Sequence, residues 1–173
     1  MEKSKFRIRR ATIGDAAEIA AIYNEGIDER SATFNTNHVT VAEMQEKIAN
    51  GGDKHPVFAA ASAELNHIAG WASISPYSNR VCYSGIGEIS IYVRKTRRRQ
   101  GIGKTLLQAL IDAAETQGYW KLMARIFIFN HISRTLCKKL GFTEIGVHEK
   151  HSKLDGKWLD VVEVEKLIPQ NIT

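Results

Sequence analysis

The sequence has few of the residues that define disulfide-stapled or metal-binding proteins. Its 173 residues include three prolines and only two cysteines, Cys82 and Cys137. Neither cysteine belongs to a metal or redox motif, which favours a reduced, cytoplasmic setting. His148 and His151 lie three residues apart without further ligands, so we expect no metal site.

Long apolar runs are also missing. No stretch approaches the roughly 20 apolar residues that a transmembrane helix needs. The charged opening MEKSKFRIRR is not followed by the apolar block of a signal peptide. We therefore expect no membrane association. Because no low-complexity linker or internal repeat divides the chain, we assign residues 1–173 to a single domain.

Hydrophobic periodicity predicts elements in the order β-α-α-β-β-β-α-β-α-β-β. The segment EISIYV is typical of a strand, and LMARIFIF is typical of a strand buried on both faces. Between them, leucines at helical spacing predict a helix that starts at Gly101 and ends at Gly118. The pattern indicates an α+β (mixed α/β) domain built on one sheet.

A basic segment punctuated by glycines, RRRQGIGKT (97–105), lies between the EISIYV strand and that helix. Its end resembles an ATP-binding loop, but Arg98 occupies the position where such a loop needs its first glycine. Glycines at a helix N-terminus let phosphate approach the free N–H groups, and the neighbouring cations add charge. The segment therefore predicts a diphosphate-binding site.

Two other interpretations of this segment are open. The cations can form an ordinary solvated surface, or they can bind nucleic-acid phosphates without specificity. The net charge of +5 is compatible with the second. No recognised nucleic-acid motif or aromatic-interleaved basic face accompanies the segment, however, and we expect no nucleic-acid partner.

The segment resembles the Arg/Gln-x-x-Gly-x-Gly/Ala motif of the GCN5-related N-acetyltransferases (GNAT). Asn130, Ser133 and the triplet LGF (140–142) are similar to that family's second half-motif, and the order of elements agrees over nearly the whole chain. The resemblance implies a central, mostly antiparallel twisted sheet flanked by about four helices, with acetyl-CoA as co-substrate. The residues it places against acetyl-CoA are Ile91, Tyr92, Val93, Arg98, Arg99, Gln100, Gly101, Ile102, Gly103, Lys104, Asn130 and Ser133.

A narrower resemblance is to the phosphinothricin and methionine-sulfoximine acetyltransferase branch. It is carried by Arg80-x-x-Tyr83, by the segment EISIYV from Glu88, and by SATFNT and DGKWLDV. That branch acetylates the α-amine of small amino acids with a tetrahedral side-chain head, and relatives act on arsenic analogues of glutamate such as arsinothricin. The resemblance implies a homodimer and a role in resistance to such antimetabolites.

The chemistry of acetyl transfer needs a base, a donor for the developing oxyanion and a proton for the departing thiolate. The resemblance places the base at Glu88 and suggests the Tyr92 N–H as oxyanion donor. Ile91 and Val93 would pair with pantetheine through their backbones, as a strand edge pairs with a peptide. Cys137 stands where many relatives have a tyrosine acid; a thiol with a pKa of about 8.5 or a water would donate the proton.

Four further residues are candidates for substrate contacts. The bidentate guanidinium of Arg80 suits a carboxylate or phosphinate. Tyr83 would add a hydroxyl contact, while Thr33 and Phe34 would form a lid wall; ordinary loop packing explains each of them as well. A peptide N-terminus or a polyamine stays open as the substrate, as does a non-catalytic acyl-CoA-binding module, which would need no base.

Overall fold

The computed structural model describes residues 6–62 and 67–172. Within them lie the strands β1 (Phe6–Arg10), β2 (Val57–Ser62), β3 (Ile68–Pro76), β4 (Ile86–Val93), β5 (Lys121–Phe127), β6 (Thr143–Leu154) and β7 (Lys157–Leu167). The α-helices are α1 (Ala16–Asp28), α2 (Val41–Gly51), α3 (Ile102–Thr116) and α4 (His131–Lys139). The predicted order of elements and the mixed α+β class are confirmed. No helix in the described part of the chain is long and apolar enough to span a bilayer.

The strands form one sheet in the order β1-β2-β3-β4-β5-β7-β6. Successive side chains of a strand point to opposite faces, so the sheet has two distinct surfaces. Ala72 and Ile74 of β3 pack with the leucines of α3 on what we call the α3 face. Trp71 of the same strand packs with residues of α1 and α2 on the α1–α2 face.

Adjacent strands are antiparallel with one exception, the pair β4–β5. This parallel ladder contains only the pairs Ile86–Lys121, Gly87–Leu122 and Glu88–Met123. Beyond Glu88, β4 continues beside β3 to Val93, and β5 continues beside β7 to Phe127. The sheet therefore divides after Glu88, and we call this point the fork.

The start of the parallel ladder is fixed by the close approach of Trp120 to Gly85. A Cβ atom at Gly85 would lie 2.0 Å from the Trp120 ring, so only glycine fits there. The Gly85 carbonyl accepts hydrogen bonds from the N–H groups of Trp120 and Lys121, at 2.9 and 3.2 Å. These contacts hold the first residues of β4 and β5 together and thereby set where the fork opens.

We expect Gly85→Ala to destabilise the protein by about 1–3 kcal/mol, because the added methyl group overlaps the indole ring. Gly51→Ala is the matched control, since a Cβ at Gly51 meets no atom within 4 Å. Gly51 ends α2, so the control is expected to be neutral or stabilising by up to about 1 kcal/mol. Urea denaturation measures both changes, and equal stability of the two variants would contradict the role of the Trp120 contact.

Candidate active site

Glu88 lies at the fork, because it is the last residue of β4 that pairs with β5. Its Oε2 accepts a 2.7 Å hydrogen bond from Nη2 of Arg125 on β5. Both side chains are partly exposed, at 30% for Glu88 and 39% for Arg125. The ion pair thus connects the two strands where they separate, and it holds the Glu88 carboxylate in an orientation open to solvent. Sequence reasoning missed Arg125, although a single arginine in the apolar strand KLMARIF was a signal.

The backbone of β4 presents alternate residues to its two neighbours. The Gly85 carbonyl is bonded to the start of β5, whereas the Arg94 N–H donates to Ala69 O of β3 at 2.8 Å. In an antiparallel ladder the direction of the backbone groups alternates with each residue. Even-numbered residues of β4 therefore direct their N–H groups to β3. The odd-numbered residues that face the gap beyond the fork are Ile89, Ile91 and Val93.

This alternation corrects the expectation for the Tyr92 backbone. Tyr92 is directly opposite Trp71 of β3, so its N–H points into the β3–β4 ladder and away from the gap. The N–H groups of Ile91 and Val93 are the ones in place to donate to a ligand in the gap. Residue type does not reveal which way an N–H points, and the strand register was needed to decide it.

The Tyr92 side chain forms one wall of the site on the α1–α2 face. Its ring stacks on Trp71, with centroids 5.2 Å apart, and meets the edge of Tyr23 at 4.8 Å. Burial raises the pKa of the Tyr92 phenol above its usual value, and Tyr23 adds to the effect. The phenol therefore stays neutral at physiological pH, and its position is fixed by the aromatic contacts.

The loop after α1 (31–37) brings Thr33 and Phe34 to the same face. The Thr33 hydroxyl lies 3.4 Å from the Tyr23 hydroxyl, which also accepts a 2.6 Å hydrogen bond from Asn35 Nδ2. Phe34 packs edge-on against Phe127 of β5, with ring centroids 4.8 Å apart. The loop thus contacts the walls on both sides of the fork, which is compatible with the wall predicted from these residues.

The N-terminus of α3 lies beside the end of β4 and the helix α4. Gly101 is the N-cap, with a φ of 79°, and its carbonyl accepts the first helical bond from Thr105 N–H. The N–H groups before Thr105 have no partner within the helix. A Cβ at Gly103 would lie 3.3 Å from Leu136 of α4, so this glycine also permits close helix packing. The buried Ile102 side chain anchors the turn in the core.

The cations around this helix terminus differ in their partners. Arg98 forms a bidentate pair with Glu29 of α1, with Nη1–Oε1 at 3.0 Å, and its Nε donates to Val93 O at 3.3 Å. Hydrogen bonding from Arg98 lowers the pKa of Glu29. Arg98 thus ties β4 to α1. Gln100, Arg99 and Lys104 are exposed, and neither cation has an ion-pair partner among the described residues.

Asn130 acts as the N-cap of α4. Its Oδ1 accepts the Ser133 N–H at 3.2 Å, and its Nδ2 donates to Ser31 O at 3.2 Å. The side chain therefore orients the helix and holds the loop that carries Thr33 and Phe34.

Cys137 of α4 packs in the core of the α3 face, and it is only 4% exposed. Burial raises the pKa of its thiol to about 11. A buried thiol that is a weaker acid than usual is poorly suited to protonate a leaving group. The structure thus corrects the expectation that Cys137 is a proton donor.

Arg80 and Tyr83 lie in an exposed turn between β3 and β4. The Arg80 guanidinium sits 5.3 Å from the centre of the Tyr83 ring, and no carboxylate of the described residues pairs with it. No group of three or more His, Cys, Asp or Glu side chains in the described ranges is arranged to hold a metal ion.

These residues provide three chemical groups along one edge of β4. The N–H groups of Ile91 and Val93 face the gap, the α3 N-terminus beyond the end of β4 has N–H groups without helical partners, and Glu88 supplies a carboxylate at the fork. A carboxylate in this position can accept a proton from a nucleophile that approaches along the α1–α2 face.

Comparison with known proteins agrees with this geometry. The family described as the acetyltransferase (GNAT) domain matches residues 8–162. The chain is 34% identical over 155 residues to the L-methionine sulfoximine/L-methionine sulfone acetyltransferase of Pseudomonas paraeruginosa, covering 89% of this chain and 90% of the relative. It is 30% identical over 160 residues to the phosphinothricin N-acetyltransferase of Streptomyces viridochromogenes, covering 92% and 86%.

A solved structure shows the same architecture. It is a GNAT superfamily phosphinothricin acetyltransferase from Sinorhizobium meliloti in complex with AcCoA, with a TM-score of 0.89 and 28% identity over 95% of this chain and 89% of that chain. With a family match over most of its length and relatives at 30% identity or more, this chain belongs to the GNAT family of N-acetyltransferases.

Proposed function

We propose that the enzyme transfers acetyl from acetyl-CoA to the α-amine of a small amino-acid-like substrate. Phosphinothricin, methionine sulfoximine, methionine sulfone and arsinothricin are examples of this class. The observation that carries the proposal is the position of Glu88 at the fork, between a gap with free backbone groups and an enclosed aromatic wall. A binding module would need the gap but would not need the carboxylate.

The described residues fit acetyl-CoA at two points. Its pantetheine arm, an extended chain with amides, fits the gap, where it can pair with the backbone of Ile91 and Val93 as an added strand does. Its diphosphate fits the N-terminal turn of α3, where the free N–H groups and the charges of Arg99 and Lys104 favour an anion. When bound, the co-substrate supplies an acetyl group activated as a thioester.

Glu88 would accept the proton that the substrate ammonium must lose before its nitrogen can attack. Arg125 would keep the Glu88 carboxylate aimed across the fork, through the 2.7 Å hydrogen bond. The N–H of Ile91 or Val93 would donate to the oxygen that becomes negative during transfer. Because Cys137 is buried, we propose water as the source of the proton for the thiolate.

An amino-acid substrate fits the site better than a polyamine does. Arg80 is a cation without a carboxylate partner among the described residues, and it lies in the turn that leads into β4. A polycation would be repelled by it, whereas the phosphinate or sulfoximine head of an amino acid would be attracted. We infer a cytoplasmic role in which acetylation inactivates such antimetabolites.

We also propose a homodimer formed through the C-terminal strand pair. β6 is an edge strand that runs from Thr143 to Leu154, and nearly all of its residues are exposed. Ile145, Val147 and Trp158 leave about half of their apolar surfaces open to solvent. A long exposed edge with apolar side chains favours association with a second chain.

Light scattering at assay concentration is expected to show a dimer. Val147→Lys places a charge on the exposed edge and should shift the protein towards monomer without unfolding it. Glu149→Lys, on the same strand but without an apolar side chain to lose, is the control. A wild-type monomer at all concentrations would exclude the dimer.

We expect the double variant Arg99→Ala/Lys104→Ala to weaken CoA binding at least tenfold in calorimetry, because two cations are removed from the diphosphate site. The wild-type affinity should fall as salt is raised, and that dependence should be shallower in the variant. Lys153→Ala in the β6–β7 hairpin removes a charge elsewhere and should leave CoA binding unchanged. Unchanged affinity in the folded double variant would disprove the phosphate site at α3.

Glu88→Gln should lower kcat by roughly 10²–10⁴, the usual range for a positioned acid–base group, and should leave CoA affinity unchanged. The deficit should shrink as pH rises, since more of the substrate amine is then already neutral. Glu163→Gln is the matched control, because Glu163 lies opposite Arg125 on the neighbouring strand. A Glu88→Gln enzyme with wild-type turnover at neutral pH would overturn the assignment of the base.

A further inference from the structure

Lys47 of α2 is a half-buried cation on the α1–α2 face. Its ammonium donates a 3.2 Å hydrogen bond to the hydroxyl of Ser75 on β3. Burial lowers the pKa of Lys47. Burial also lowers the pKa of His55, with smaller contributions from the charges of Lys54 and then Lys47. Lysine side chains usually extend their ammonium groups into water, so this inward position is unusual.

No carboxylate pairs with Lys47 among the described residues. Two cations of β5 on this face do have acidic partners: Arg125 pairs with Glu88, and Lys121 pairs with Glu165 at 2.7 Å. Within the described ranges the one hydrogen-bond partner of Lys47 is the neutral Ser75 hydroxyl, and a partly desolvated charge in such surroundings is costly unless an anion pairs with it. The missing partner is therefore expected to be a ligand anion.

The register of the sheet places Lys47 close to the base. Ser75, which accepts the hydrogen bond from Lys47, is directly opposite Glu88 in the β3–β4 ladder. Side chains directly opposite in such a ladder have Cβ atoms about 5.5 Å apart, so the ammonium lies at most about 10 Å from the Glu88 Cβ. One small molecule can therefore contact both groups.

An α-amino acid has the geometry to contact Lys47 and Glu88 at the same time. Its carboxylate is attached to the carbon that carries the amine, so a carboxylate must lie beside any α-amine that faces Glu88. With hydrogen bonds of ordinary length at both ends, the two protein groups that hold amine and carboxylate would be roughly 6–9 Å apart. A Lys47 ammonium within about 10 Å of the Glu88 Cβ is compatible with this requirement.

We propose that Lys47 binds the α-carboxylate of the amino-acid substrate while Glu88 faces its α-amine. This inference rests on the proposed function and deepens it, because it makes a carboxylate next to the amine a requirement of the site. Arg80 would then contact the distal head group. Lys47 and Arg80 would thus bind different parts of the same substrate molecule.

The test compares L-methionine sulfone with its α-carboxamide, which keeps the amine and side chain but has no charged carboxylate. Lys47→Met is expected to raise KM for the acid at least tenfold and to change KM for the carboxamide less than twofold. The preference of the wild type for the acid should thus disappear. Lys47→Arg should restore part of that preference, since the charge is kept in a different shape.

The matched control is Lys54→Met. Lys54 also contributes to the electrostatic environment of His55, but its ammonium lies 4.4 Å from the Tyr119 ring centre and has the Gln117 carbonyl at 3.4 Å. Its loss should leave the preference for the acid intact. CoA affinity by calorimetry and circular dichroism should match the wild type in every variant, which shows that the fold and the donor site are preserved.

Each result decides a separate point. If Lys47→Met raises KM equally for the acid and the carboxamide, or raises it for neither, then Lys47 does not bind the carboxylate. The proposed function stands in that case. If Lys47→Met does not fold, Lys47→Gln is tested in the same way, by comparing the change in KM for the acid with the change in KM for the carboxamide. If the wild type acetylates neither compound but acetylates a peptide or spermidine, the proposed substrate class fails, and this inference fails with it.

Discussion

The short parallel contact between β4 and β5 is the constraint on which the site depends. It is limited to the residues from Ile86 to Glu88 on β4, and the Trp120 ring against Gly85 fixes where it begins. A longer ladder would pair the backbone of Val93 with β5 and close the gap. A shorter one would remove Glu88 from the position between the two strands. The location of Glu88, the proposed base, and the presence of the gap thus have one structural cause.

Sequence reasoning identified the elements and pointed to residues that local patterns reveal, including Glu88 and the α3 terminus. It did not find Arg125 or Lys47, because their partners belong to strands that pair only in the folded chain. It chose the Tyr92 N–H as the oxyanion donor, which the register contradicts. Periodicity shows which face of the sheet a side chain occupies but not towards which neighbouring strand the backbone N–H points. Sequence reasoning did not reveal that Arg98 pairs with Glu29, because the two residues lie 69 positions apart in the sequence.

Charge pairing around the site shows which groups are committed to the fold. Glu88 and Glu29 are each held by an arginine of the protein, and these pairs tie β4 to β5 and to α1. Such exposed pairs contribute little to stability individually, at about 0–1 kcal/mol, so their main effect is to set orientation. Arg80, Arg99, Lys104 and Lys47 have no acidic partner among the described residues, and each is a cation to which we assign a negatively charged group of a proposed ligand.

The alternation of a single strand separates recognition of the two substrates. Odd-numbered residues of β4 direct backbone groups into the gap, and the proposed recognition of acetyl-CoA there would depend on main-chain hydrogen bonds that most side-chain changes leave intact. Even-numbered residues place the side chains of Glu88 and Tyr92 on the α1–α2 face, beside Lys47 and Thr33. Substitutions on that face can therefore change which amine is accepted without altering how the acetyl donor binds.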